Sequence, residues 1–258
     1  MEVTSKVVLV VEYDGTIYSG FQWQNNAPTI QAKLESALER LTGEAVRIAG
    51  ASRTDAGTHA KGQTVSFRTN VVLDMETWGK ALNSHLPHDI VIKKAYEAED
   101  SFDVRRDATS REYAYYILNS PARSPLQERF THLVPRPLDV NVMNKACQIL
   151  IGEHDFASFT APTNKRTLRT VFDISVHRRI GLVIFKMIAN SFLPRQIRNT
   201  VGSLIKVGLG KIGVEEFRDL AWSGQPGVVG PAAPACGLCL MNIEYSNFSR
   251  QVRKDENL

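Results

Sequence analysis

Two short apolar runs constrain this chain more than anything else in it. "KVVLVVEYDG" (6–15) and "LVIFKMIAN" (182–190) are apolar for most of their length, too short for buried helices, and read as strands buried on both faces. Each is followed by a segment of helical period. In "TIQAKLESALERLTG", Ile30, Leu34, Ala37, Leu38 and Leu41 fall on one face, Thr29 is placed to cap and Gly43 to stop the helix. In "PRQIRNTVGSLIKVGLG" the same face carries Ile197, Val201, Leu204, Ile205 and Leu209. The segments "QTVSFRT", "DIVIKKAYEA", "TSREYAYYILN" and "GLCLMNIEY" read as further strands, and "METWGKALNSHL" and "VNVMNKACQILIGE" as further helices. Strand, helix and strand thus occur in two rounds. The expectation is an α+β protein of two halves, 1–106 and 107–245, whose sheets could join, with a polar tail at 246–258.

A length of 258 residues suits two such halves. With 43% hydrophobic residues, a mean hydropathy of −0.19 and no apolar window near membrane-spanning length, the composition is that of a soluble protein. Three cysteines make no disulfide framework, and the N-terminus runs into a strand without a leader pattern, so a cytoplasmic location is expected. The net charge of +4 is unevenly placed: residues 101–200 hold 15 basic against 8 acidic residues, and 12 of the 15 are arginine. A planar guanidinium suits phosphate contact and base stacking, so this bias points to nucleic acid, RNA in particular, with a solvated basic face as the alternative.

Three groups of residues bear on chemistry. "GASRTDAGTHAKGQ" (50–63) sets Asp55 among small and hydroxylated residues at the entrance to a strand. Such a composition makes a turn. It also holds a carboxylate at a sheet margin, where a guanidinium such as Arg53, Arg195 or Arg198 would keep it ionised as a nucleophile or base. In "REYAYYIL", Tyr113 and Tyr115 share one strand face and Tyr116 takes the other, as core packing or as a platform for an extruded base. "CGLC" lacks a second cysteine pair, and the histidines lack ligand spacing, so no metal is expected. No phosphate-loop or dinucleotide fingerprint is present, so no nucleotide cofactor is expected either.

Taken together, "YDGTIYSGFQWQ", "RTDAGTHAKGQ", "REYAYYI", "FLPRQIRNTVGSL" and "GLCLMNIEY" resemble, in order, the bacterial tRNA pseudouridine synthase I family. The resemblance implies two halves forming one extended, mostly antiparallel sheet flanked by helices, a basic cleft between them, and a homodimer. It implies an isomerase that acts without cofactor or metal on uridines at positions 38, 39 and 40 of the tRNA anticodon stem-loop. By the same resemblance Asp55 is the nucleophile, Arg198 its partner, Tyr113 the residue stacking on the target base, Arg53 a holder of the flipped nucleotide, and Leu238 an apolar neighbour of the pocket. His59, Arg105, Arg106, Arg111 and Arg195 are expected to contact RNA. Ala51 and Ser52 before Arg53, "PRQIRN" ahead of the helix, and Cys239 depart from the family's usual residues. Two other classes fit parts of the pattern: a silent RNA-binding protein with the same charge, and a metal-dependent phosphohydrolase using Asp55 and His59, which would need a second carboxylate cluster.

Overall fold

The computed structural model describes residues 4–246. In chain order the elements are β1 (Ser5–Tyr13), α1 (Ile30–Thr42), β2 (Ala49–Gly50), β3 (His59–Thr69), α2 (Met75–His85), β4 (Ile90–Ala98), β5 (Ala108–Leu118), β6 (His132–Leu133), α3 (Val140–Cys147), β7 (Gly152–Asp155), β8 (Leu168–Arg179), β9 (Leu182–Ala189), α4 (Gln196–Gly208), α5 (Val214–Trp222) and β10 (Leu238–Tyr245). The class is the expected one, α+β, with a large, mixed, mostly antiparallel sheet and five flanking helices among the described residues. Of the tail expected at 246–258, all but Ser246 lies outside the described residues.

The chain forms two compact units. The first holds the described residues up to Thr109 together with those from Leu240 onward, so the last strand returns to the sheet that the chain began. Its strand order is β4-β1-β3-β10, and β1 runs antiparallel to both of its neighbours. Val7, Leu9 and Val11 on one face of β1 are buried; on the other face Val8 is buried, while Val10 and Glu12 are half-buried, so the second face is covered only in part. Helix α1 starts where Thr29 accepts from the Ala32 amide (3.3 Å) and stops at Gly43, whose φ of 74° suits a residue without Cβ. It buries Ile30, Leu34, Ala37 and Leu38. Trp78 of α2 meets Phe67 of β3 edge to face, with centroids 5.3 Å apart. Each such large side chain, fully buried, stabilises the fold by about 1.5–3 kcal/mol.

The second unit spans Ser110–Cys239. Strand β9 pairs antiparallel with β5 and β8, and β8 with β7, while short β6 runs parallel to β5. The expected face of α4 is realised in part: Ile197, Val201 and Leu204 are buried, Ile205 is half-buried, and Leu209 follows the end of the helix at Gly208. One expected element is corrected. The helix read over "VNVMNKACQILIGE" ends at Cys147, continues as a 3-10 turn over Gln148–Leu150, and becomes strand β7. Gly152, at φ 106°, adopts a conformation closed to other residues and marks the change of direction.

Candidate active site

Asp55 lies on the connection between β2 and β3. The Thr58 amide donates to the Asp55 carbonyl (3.1 Å), and Gly57 has φ 75°, so Asp55–Thr58 is a turn that needs glycine at its third position. Asp55 is half-buried and Arg53 exposed. The approach to the turn is fixed by Gln63, fully buried on β3. Its Oε1 accepts from the Ser52 amide (3.2 Å) and its Nε2 donates to the Ser52 carbonyl (2.6 Å). The turn itself is gripped from outside. The Phe21 amide donates to the Thr54 carbonyl (3.1 Å), and the Gly57 amide donates to the Tyr18 carbonyl (3.2 Å). The Tyr13 and Thr54 hydroxyls bond at 2.7 Å in a buried position. Tyr18 in turn donates to Asp89 (2.8 Å); burial, then that carboxylate, raises its phenol far above the usual range.

His59 begins β3 and is only 5% exposed; its Nδ1 accepts from the Gly15 amide at 3.1 Å. Arg105 and Arg106 belong to the same unit. Their backbone amides both donate to Asp103 Oδ1 (2.8 Å each), holding that carboxyl below the usual carboxylate range, while both side chains are exposed.

The remaining expected residues lie in the second unit. Tyr113 sits on β5 opposite Met187 of β9, buried, with its ring edge-to-face against Phe192 at 5.2 Å. Arg111, two residues before, is buried with Nη1 donating to the Asn190 carbonyl (2.6 Å). Arg198 is half-buried on the first turn of α4. It donates through Nε to the Ala233 carbonyl (2.8 Å), while the Ala233 amide donates back to the Arg198 carbonyl (2.9 Å). Arg195 precedes α4 with φ 59°, an uncommon conformation for a side-chain-bearing residue, and is exposed. Leu238 is buried at the start of β10. Among the described residues no group of three or more His, Cys, Asp or Glu is arranged to hold a metal ion, and no helix is long and apolar enough to cross a membrane.

The model of the family described as tRNA pseudouridine synthase matches residues 9–107 and 146–246. The chain belongs to the tRNA pseudouridine synthase family. Curated relatives agree over nearly full length. "tRNA pseudouridine synthase A" of Thermoanaerobacter sp. (strain X514) is 42% identical over 241 residues, which is 93% of this chain and 99% of the relative. The proteins of that name from Acetivibrio thermocellus (40%, with the same coverage) and Brevibacillus brevis (39%, covering 92% and 98%) are similar to it as well. The synthase-family match takes in Arg53, Asp55, His59, Arg105 and Arg106 in its first stretch and Arg195, Arg198 and Leu238 in its second; Arg111 and Tyr113 fall between the two. Several residues that shape the Asp55 turn were missed from sequence: Tyr13, Gly15, Tyr18 and Gln63. Their bonds, some between side chains, some between backbones and some mixed, span from 11 to 44 residues and leave no periodic trace. The one available signal was "YDGTIYSGFQWQ" itself, a polar and glycine-bearing stretch directly after a buried strand.

Proposed function

We propose that this protein converts uridine to pseudouridine in tRNA with the Asp55 carboxylate as its nucleophile. The observation that carries the reading is a half-buried carboxylate on a turn fixed from both sides, in a chain 42% identical to a tRNA pseudouridine synthase A along nearly all of its length. In the reaction the bond between N1 of the base and C1′ breaks, a bond from C5 to C1′ forms, C5 gives up its proton and N1 gains one. Atoms and electrons balance within the substrate, so the chemistry asks for an ionised group and a held geometry, not for a cofactor or metal. A fixed carboxylate serves whether it adds at C6, attacks C1′ or removes the C2′ proton.

The other roles belong to the same proposal and rest on the resemblance of their segments. Arg198 is the partner of Asp55, Tyr113 stacks on the target base, Arg53 holds the flipped nucleotide and Leu238 borders the pocket. The exposed side chains of Arg53, Arg105, Arg106 and Arg195 suit phosphate contact, which would offset the few kcal/mol of unstacking that base flipping costs. Arg111, though buried, is assigned to RNA with them. The substrate is the anticodon stem-loop at uridines 38, 39 and 40, the enzyme is a cytoplasmic homodimer, and its two halves divide near residue 106.

Incubation with unmodified tRNA, followed by mapping of modified positions, tests this directly. The parent protein forms pseudouridine in the presence of EDTA. Asp55→Asn forms none while its affinity for the RNA stays within about threefold of the parent. A variant that keeps more than about a tenth of the parent rate sinks the assignment. Parent protein that binds the RNA but leaves it unmodified would instead support a silent RNA-binding protein.

A further inference from the structure

The end of β1 and the segment after it have no role in the chemistry above, yet they supply contacts on both sides of Asp55. β1 and β3 pair in register from Ser5↔Thr69 to Val11↔Gln63, then slip, and the last pair is Tyr13↔Ala60. Beyond this slip the sheet ladder no longer fixes the chain that carries Asp55, and individual bonds from residues 13–21 take over. They reach Thr54 on one side of Asp55, through the Tyr13 hydroxyl (2.7 Å) and the Phe21 amide (3.1 Å). On the other side they reach Gly57, through the Tyr18 carbonyl (3.2 Å), and His59, through the Gly15 amide (3.1 Å).

Two glycines make this close approach possible. A Cβ on Gly15 would lie 2.0 Å from the Thr58 carbonyl oxygen, and one on Gly20 would lie 2.8 Å from that of Thr54. Asp14 braces the segment from within, its Oδ1 accepting from the Thr16 amide (2.9 Å) and hydroxyl (2.5 Å). The same oxygen lies 3.2 Å from His59 Nδ1. That nitrogen accepts from Gly15 when it is unprotonated and donates to Asp14 when it carries a proton, so His59 ties residues 14–15 to the start of β3 in either form. Buried at 5% exposure, it is better placed for this than for RNA.

We propose that Tyr13 and His59 are positioning residues for Asp55: Tyr13 fixes the residue before it through Thr54, and His59 fixes the turn after it through Gly15. The proposal rests on Asp55 being the nucleophile. A carboxylate must be held to within a fraction of an ångström of its reacting geometry, and losing a supporting bond loosens it without altering what binds the RNA. The chemical step therefore slows while KM holds.

The test measures kcat and KM on unmodified tRNA for Tyr13→Phe, Thr54→Val, Thr54→Ser, His59→Leu, His59→Asn and Asp55→Asn, each well below its own thermal midpoint. Tyr13→Phe and Thr54→Val each lower kcat about tenfold with KM within about twofold. The double variant is no slower than either single one, since both remove the same bond. Thr54→Ser keeps the hydroxyl and stays near the parent rate. His59→Leu loses about a hundredfold in kcat. His59→Asn, which offers an amide oxygen near the place of Nδ1, recovers most of that loss. Should His59→Leu fail to fold, the tyrosine and threonine variants decide. Parental kcat in Tyr13→Phe overturns the proposal, and so does full additivity of Tyr13→Phe with Thr54→Val, or His59→Asn as slow as a folded His59→Leu. If Asp55→Asn is dead while these results appear, positioning alone has failed; if Asp55→Asn remains active, the nucleophile assignment has failed.

Discussion

Gly15→Ala tests how tightly the Asp55 turn is packed, because only one objection stands against that methyl group. Gly15 is not in the left-handed region, so its backbone accepts an L-residue without conformational strain. The objection is contact: the new Cβ would sit 2.0 Å from the Thr58 carbonyl oxygen and 2.7 Å from its carbon, where ordinary contacts begin at 3.4 Å. The two backbones must therefore part by roughly 1.4 Å, the difference between 3.4 and 2.0 Å. Thr58 is bonded through its amide to the Asp55 carbonyl, so the displacement reaches the carboxylate's own turn. Overpacking of this kind costs about 1–3 kcal/mol, and loss of the Gly15 amide bond to His59 adds about 1 kcal/mol. A shift near 1 Å at a reacting group costs about a hundredfold in rate. Urea denaturation and single-turnover pseudouridine formation should show both losses. Gly43→Ala is the control: it meets nothing within 4 Å and has only its φ of 74° against it, so it costs about 1 kcal/mol of stability and leaves the rate unchanged. Gly15→Ala with the parent's rate and denaturation midpoint would refute the reasoning.

Two further predictions concern the second unit. Ile180 stands at φ 47° in the turn between β8 and β9, followed by Gly181 at φ 77°, and is 92% exposed, so its branched side chain is strained and buries nothing in return. Ile180→Asn gives the turn the Asn-Gly pair that tolerates this backbone and should raise stability by about 1 kcal/mol, read as a higher urea midpoint with an unchanged slope. Burial pushes the Cys147 thiol up from 9.0 to about 12. The folded protein therefore keeps a proton that the unfolded chain releases, and this contribution to stability, whole below pH 9, is lost as pH rises from there towards 12. Iodoacetamide at pH 8 should label Cys147 only after denaturation, and a Cys147→Ala variant should show a shallower loss of stability above pH 9.

What the sequence disclosed follows from how many residues carry each signal. Helix α1 could be read at both ends because Thr29, Gly43 and four buried apolar residues all encode the same element. The end of α3 could not, since "QILIGE" keeps an apolar pattern and only Gly152 marks the turn into β7. Strand β8 escaped for a related reason: its register shifts between Val171 and Asp173, which leaves Phe172 exposed and breaks the alternation that identifies a strand. Helix α5 is nine residues long with two buried side chains, Phe217 and Ala221, too few to define a face.

The candidate site divides along the same line. Asp55 was legible as a residue because a turn of small residues leading into a strand is a local pattern, and the family resemblance then gave it a role. Its surroundings were not legible, because Tyr13, Gly15, Tyr18 and Gln63 act through individual bonds to partners far along the chain: a hydroxyl to the Thr54 side chain, an amide to the His59 ring, a carbonyl to the Gly57 amide and a side-chain amide to the Ser52 peptide. Such bonds favour no period and no residue class. Gln63 shows how little a single position discloses: it is a polar residue in a strand, yet it is fully buried and holds Ser52 from both sides. Burying a polar side chain is costly unless its hydrogen bonds are met, and here the Ser52 peptide meets those of Gln63. The buried polar side chains of Tyr13, Thr54, His59 and Gln63 thus fix the shape of the Asp55 turn together with main-chain groups of Gly15, Tyr18 and Phe21, and they become visible as a group only when the partner of each buried polar atom is known.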